Sequence, residues 1–184
     1  MRWLVALALT GCWSSGPNGT LWRPTGALTG GVHATGSSET GAVTGTGGYG
    51  ELEGGGREDR FGFVGFARFA QFRSPGAIPD EVAYVDRPTS GGDSMRTDNF
   101  SLGVRFHTWP FRWWRLSASL GELTHHETDA AGAMPDVWRY GAFVSRGTAF
   151  VLYQADGAQL ELGVDVSADE LARAAASLGI GVRI

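Results

Sequence analysis

Ser177-Leu178-Gly179-Ile180-Gly181-Val182-Arg183-Ile184 alternates without a break. Leu178, Ile180, Val182 and Ile184 fall on one side, and Ser177, Gly179, Gly181 and Arg183 on the other. A period of two marks a β-strand whose two faces meet different surroundings. Such a strand must be paired along its edges, because unpaired N–H and C=O groups template aggregation in water and cost several kcal/mol each in lipid. The stretch therefore predicts a closed sheet in which Ser177–Ile184 lies between Gln159–Val166 and an N-terminal strand over Gly26–Thr35.

The same alternation recurs upstream. Phe100, Leu102, Val104 and Phe106 oppose Ser101, Gly103, Arg105 and His107. Trp114, Leu116, Ala118 and Leu120 oppose Arg115, Ser117, Ser119 and Gly121, and Leu160, Leu162, Val164 and Val166 oppose Glu161, Gly163 and Asp165. Val137–Ser145 and Ala149–Gln154 read as two further strands, and Asp156-Gly157 between Ala155 and Ala158 as a hairpin turn. Phe61–Phe72 is apolar and aromatic, Glu81–Val85 short, and the runs Ala27–Thr35 and Gly41–Leu52 are Gly- and Thr-rich. Ser167-Ala168-Asp169-Glu170 has the form of a capping box and is followed by helix formers over Leu171–Ala176, which predicts one short helix before the last strand. The expected fold is all-β: a small antiparallel up-and-down barrel of about eight to ten strands.

Composition agrees with many turns and closely packed strands. The 29 glycines in 184 residues are about twice the usual share. Charged residues are 18%, below the typical value of about 25%. The net charge of −4 gives no footprint for nucleic acid, which is not expected as a partner. The single cysteine, Cys12, excludes an internal disulfide.

Met1-Arg2 and the apolar run Trp3–Leu9 form the start of a secretory leader, too short to span a bilayer of about 30 Å. Leu9-Thr10-Gly11-Cys12 resembles the bacterial lipoprotein signal box. That resemblance implies cleavage after residue 11 and acylation of Cys12; the Ser-, Gly-, Pro- and Asn-rich stretch that follows reads as a linker, over 12–25, ahead of a barrel domain over 26–184. Trp13, where an Asp would hold such a lipoprotein at the inner membrane, is compatible with export to the outer membrane. The C-terminal stretch is similar to the assembly signal of outer-membrane β-barrels, with Ser177, Gly179, Val182 and Ile184 in its defined places. That signal usually ends on an aromatic residue, and this chain ends on Ile184. The resemblances imply outer-membrane lipids as surroundings, and the barrel-assembly and lipoprotein-sorting machineries as partners.

Alternation alone does not say which face is inside. In a soluble barrel the apolar face is the core; in a membrane barrel it meets lipid. Gly, Ser and Arg dominate the polar face, which suits an interior in which Arg105, His107, Arg115, Arg139 and Arg183 meet Glu161 and Asp165. Trp109, Phe111, Trp113 and Trp114 around Pro110 read as an interfacial girdle. Counting strands back from Ile184, however, puts the long connections Arg87–Thr97 and His125–Asp136 on the C-terminal side. That is the reverse of an outer-membrane barrel unless the count is off by one.

Catalytic and metal motifs are weak. His125-His126-Glu127-Thr128-Asp129 gathers potential ligands but reads as a solvated loop, and no metal or cofactor is expected. No G-x-S-x-G accompanies His107, so catalysis is not expected. Three readings follow: an outer-membrane barrel lipoprotein with a structural or permeability-related role; a soluble, periplasm-facing barrel lipoprotein that binds an apolar ligand or an envelope partner; and a lipid-modifying hydrolase.

Overall fold

The alternation is realised in a closed ring. The computed structural model describes residues 23–37, 43–74, 95–129, 137–170 and 173–184. They form an antiparallel up-and-down barrel, β1(Arg23–Ser37), β2(Val43–Glu58), β3(Phe61–Ser74), β4(Met95–Phe111), β5(Trp114–Asp129), β6(Val137–Ala155), β7(Ala158–Asp169) and β8(Arg173–Arg183). Each strand pairs with its sequence neighbours, and β8 returns to β1. β8 has the two expected partners: Leu178 stands opposite Val32 of β1 and Val164 of β7, and Val182 opposite Leu28 and Leu160. Gly26 and Ile184 exchange backbone hydrogen bonds of 3.1 and 2.9 Å, so closure reaches the end of the strand. β1 begins at Arg23, ahead of the expected boundary at Gly26. Cys12, the leader and Glu81–Val85 lie outside the described residues.

Three sequence expectations change. First, Val137–Ser145 and Ala149–Gln154 are one strand, β6, of 19 residues. Gly147, which reads as a breaker, points inward opposite Ser117 and Asp165, where a side chain would crowd the Asp165 carboxylate. Merging the two runs removes one strand from the count. The turns Asp59-Arg60, Arg112-Trp113 and Asp156-Gly157 then share one end with Arg23 and Ile184, and the longer connections share the other. These are called the turn end and the loop end below. Asp156 and Gly157 have φ of 45° and 87°, as a two-residue hairpin requires.

Second, the short helix is absent among the described residues. Ser167–Asp169 extends β7, and Arg173–Ala176 opens β8. The capping-box acid serves the sheet instead: the Glu170 carboxylate accepts from Ala142 N, and Glu170 N donates to Ala142 O, both at 3.0 Å. A helical turn here would leave the backbone of β6 and β1 unpaired at the barrel rim. Third, the supposed loop His125–Asp129 is the last part of β5.

The apolar face is outside. Leu28 is 66% exposed, Ile180 51% and Phe100 43%. On β6, Tyr140 and Phe150 both face outward, ten positions apart. At roughly 3.3 Å per residue and a tilt of about 40° they stand roughly 25 Å apart along the axis, the height of a membrane barrel's apolar band. At the turn end Phe111, Trp113, Trp114 and Phe150 stack with ring centroids 5.5–6.3 Å apart. Trp109 is not part of that girdle. It points inward, is buried, and lies under the Arg57 guanidinium at 4.3 Å.

Inside, two glycines make room for aromatic rings. Gly103 and Gly121 face each other across β4 and β5. A Cβ on either would stand about 3 Å from a ring atom of Phe66 or Phe143, and closer still to a backbone carbonyl of the neighbouring strand. Those two rings meet edge to face at 6.0 Å. Gly121→Ala is therefore expected to destabilise the barrel by about 1–3 kcal/mol through overpacking. The urea midpoint measured by tryptophan fluorescence checks this; an unchanged midpoint would show that the backbone yields without cost.

Candidate functional site: the charged barrel interior

The inward side of each strand carries its polar set, and closure brings six strands' charges together. They form one chain in which guanidinium and carboxylate alternate. Arg115 on β5 meets Glu161 on β7 at 2.8 Å, and Glu161 meets Arg183 on β8 at 3.3 Å. Arg183 meets Glu53 on β2 at 2.6 Å, and Glu53 makes a short contact with Arg105 on β4. Arg105 meets Glu51 on β2 at 2.5 Å, Glu51 meets Arg68 on β3 at 2.7 Å, and Arg68 meets Asp165 on β7 at 3.3 Å. The four arginines and four acids cancel in formal charge. That balance is what a water-poor interior requires, since an isolated buried charge is strongly penalised.

Neutral donors and acceptors finish the chain. Arg105 Nε donates to Ser119 Oγ at 2.7 Å, and Ser145 Oγ donates to Asp165 at 3.3 Å. Arg115 Nη1 lies 2.8 Å from His107 Nδ1. A guanidinium only donates, so Nδ1 accepts and the ring proton sits on Nε2, which faces Glu53 Oε2 at 3.4 Å. Two guanidiniums also rest on aromatic faces, Arg105 on Phe66 at 4.4 Å and Arg68 on Tyr49 at 4.9 Å.

The sequence-expected residues fall into place unevenly. Arg105, His107, Arg115, Glu161 and Arg183 are buried inside the barrel, and Asp165 is half-buried beside them. Arg139 sits apart at the loop end, 3.8 Å from Glu127. Only Glu161 among the expected acids meets two of the expected arginines; Asp165 instead pairs with Arg68. Glu51, Glu53 and Arg68 form the middle of the chain and are missed from sequence. Glu51 and Glu53 carry a signal, being two apart and in phase with Tyr49, but the glycines around them hide the alternation. Arg68 is in phase with Phe66 and Phe72, which face inward, against the rule that the aromatic face looks out.

This interior has little to offer a substrate. His107 is 0% exposed, and its neighbours are Arg115, Glu53 and Trp109 rather than open space. A His–Ser contact, His33 Nδ1 to Ser177 Oγ at 2.9 Å, is also buried. Nearby, towards the loop end, is a cavity of ≈ 40 Å³ beside His33, Arg68, Asn99 and Phe72, room for a few waters at most. The His125–Asp129 run is split between two faces. His125 points inward to Asn99 and Glu127 at 2.5 and 2.8 Å, while His126 points outward and stacks on Trp138 at 4.0 Å. The two histidines therefore do not converge on one ion.

No protein-family model matches the sequence, and no curated protein matches it. Solved structures do share the fold. The attachment invasion locus protein Ail of Yersinia pestis, in complex with the heparin analogue sucrose octasulfate, superposes with a TM-score of 0.53 at 11% identity, covering 88% of this chain and 99% of its own. Neisserial surface protein A gives 0.54 at 10% identity, covering 88% and 96%. The outer membrane protein OprG of Pseudomonas aeruginosa gives 0.51 at 11% identity, covering 89% and 97%. At such identities the likeness is one of fold: the chain is a closed eight-stranded antiparallel β-barrel.

Proposed function

We propose that this chain is a lipid-anchored outer-membrane protein whose barrel is a closed structural plug and neither an open pore nor an enzyme. The observation that carries the reading is the inverted distribution of side chains. Large apolar residues such as Leu28, Val144 and Ile180 are more than half exposed, while Arg183, Glu53 and Arg105 are buried. Water would expel that outer surface, whereas a bilayer matches it. The alternating ion chain crosses the lumen, which supports a structural rather than a conducting role. The turn end, with Arg23 and Ile184, faces the periplasm, and the loop end faces outward, as in outer-membrane barrels generally. A lipid on Cys12 then enters the inner leaflet of the same membrane, and the barrel-assembly and lipoprotein-sorting machineries are the partners on the way there.

Two measurements test this. The folded chain should float with lipid vesicles, migrate faster on unheated gels than after boiling, and show no steady current across a planar bilayer. A protein that stays soluble without detergent, or one that conducts steadily, overturns the plug. Mass spectrometry of the mature N-terminus should find Cys12 acylated and free of Gly11; an unmodified Cys12 still joined to Gly11 sinks the anchor.

A further inference from the structure

The outer surface of β3 and β4 changes character over a short distance near the loop end. Pairing sets Phe63 beside Phe106, Ala67 beside Leu102 and Phe69 beside Phe100, all facing outward. The Phe69–Phe100 rung continues through Thr124 of β5 to Tyr140 of β6. Its three exposed aromatic rings mark the loop-end edge of the apolar band. The next outward rung is polar, and its groups meet one another: Gln71 Nε2 donates to Asp98 at 2.8 Å, and His126 stacks on Trp138 at 4.0 Å. On the rung beyond that, Arg73 stands directly opposite Arg96, and both are exposed.

Directly opposed side chains on one face have Cβ atoms about 5 Å apart, and like charges placed so repel. Asp98 relieves only one side of this pair. It accepts from Arg96 Nε at 3.3 Å as well as from Gln71. The Arg73 side chain has no ion pair or hydrogen bond among the described residues. Two guanidiniums against one carboxylate leave a net positive patch. It lies four residues past Phe69 and Phe100, roughly 10 Å along the axis at about 3.3 Å per residue and a tilt of about 40°. That is the level of lipid headgroups, within reach of a snorkelling arginine. A guanidinium presents a planar fork that fits a phosphate through two parallel hydrogen bonds. Beneath the pair, the same two strands offer an apolar strip from Phe69 and Phe100 to Phe63 and Phe106. Cations over an apolar strip are the complement of an anionic lipid, with its phosphate above and its acyl chains below.

We propose that Arg73 and Arg96 form a seat for the phosphate of an anionic lipid in the leaflet that the loop end enters. The seat rests on the membrane reading above, and the experiment separates the two. Full-length chain is floated with phosphatidylcholine vesicles and then taken into detergent, where native mass spectrometry counts bound phosphatidylglycerol. The wild type is expected to retain phosphatidylglycerol in preference to phosphatidylcholine, and inorganic phosphate at equal concentration should not displace it. Arg73→Gln and Arg96→Gln are each expected to raise the dissociation constant about fivefold, as for one basic side chain at an anionic surface, and together on the order of 25-fold. Both side chains are exposed, so these variants should float as the wild type does. Arg60→Gln, an exposed cation at the turn end, should leave binding unchanged. Displacement by inorganic phosphate would reveal a free-anion site and overturn the lipid as occupant. An equal loss in Arg60→Gln, or undiminished binding by the double variant, overturns the seat alone. A chain that fails to float overturns the membrane reading, and the seat with it.

Discussion

Arg105→Leu is expected to destabilise the folded barrel by about 3–5 kcal/mol, the usual cost of breaking a buried ion pair by removing one partner. Arg105 is the central cation of the interior chain and holds Glu51, Glu53 and Ser119 at once. Its loss leaves two adjacent buried carboxylates facing each other, each held only from its far side, Glu51 by Arg68 and Glu53 by Arg183. The cost therefore comes from uncompensated negative charge and not from lost packing. A second variant separates these causes. Arg105→Leu with Glu51→Gln restores formal neutrality along the chain, with three acids against three arginines, and should recover much of the loss. Urea midpoints in the same lipid decide the matter. If the single variant loses less than about 1 kcal/mol, the carboxylates are being solvated, as exposed pairs are, and the lumen is wetter than its burial implies.

Deleting Leu178–Ile184 is expected to have a still larger effect: no protease-resistant barrel and no recovery in the membrane fraction. The deletion takes away the part of β8 that pairs with Leu28–Val32 of β1 and with Leu160–Val164 of β7. Both strands then present open edges, which lipid penalises at several kcal/mol per unpaired group. It also removes Arg183, the link between Glu53 and Glu161. Arg183→Leu in the full-length chain isolates that second contribution; it should fold, with a lowered midpoint, because the edges remain paired. A truncated chain that still resists protease and reaches the membrane would show that β1 and β7 can close without β8.

The sequence made the last strand, its two partners and the polar faces of β4, β5 and β7 legible, because side-chain chemistry there follows the pleat residue by residue. Legibility failed where another signal resembled a break or a helix. Gly147 looks like punctuation and is instead a space for Asp165. Ser167–Glu170 looks like a helix start, yet Glu170 bonds to the neighbouring strand, since closure outweighs a local propensity of a few tenths to about 1 kcal/mol per residue. The interior was half legible. Arg105, Arg115 and Arg183 stand out as charges in apolar strands, but Glu51 and Glu53, which hold Arg105 and Arg183, lie in a run whose other side is mostly Gly and Thr. Pairing across the lumen depends on which strands face each other, and that is a property of closure rather than of any one segment.

The alternating order of the interior chain also bears on how such a protein changes over generations. Each interior charge except those at the two ends is held by two neighbours of opposite sign, some of them on strands far apart in the gene. A substitution at one link leaves its neighbours stranded until a second, distant substitution answers it. Charge at Glu53 and Arg183, which are 130 residues apart, is therefore expected to be exchanged or abandoned jointly. The outward apolar positions carry no such obligation, because any apolar side chain suits lipid. Lineages of this barrel should thus diverge quickly on the outside while keeping linked charges within, so that ancestry is written in correlated pairs and not in overall similarity.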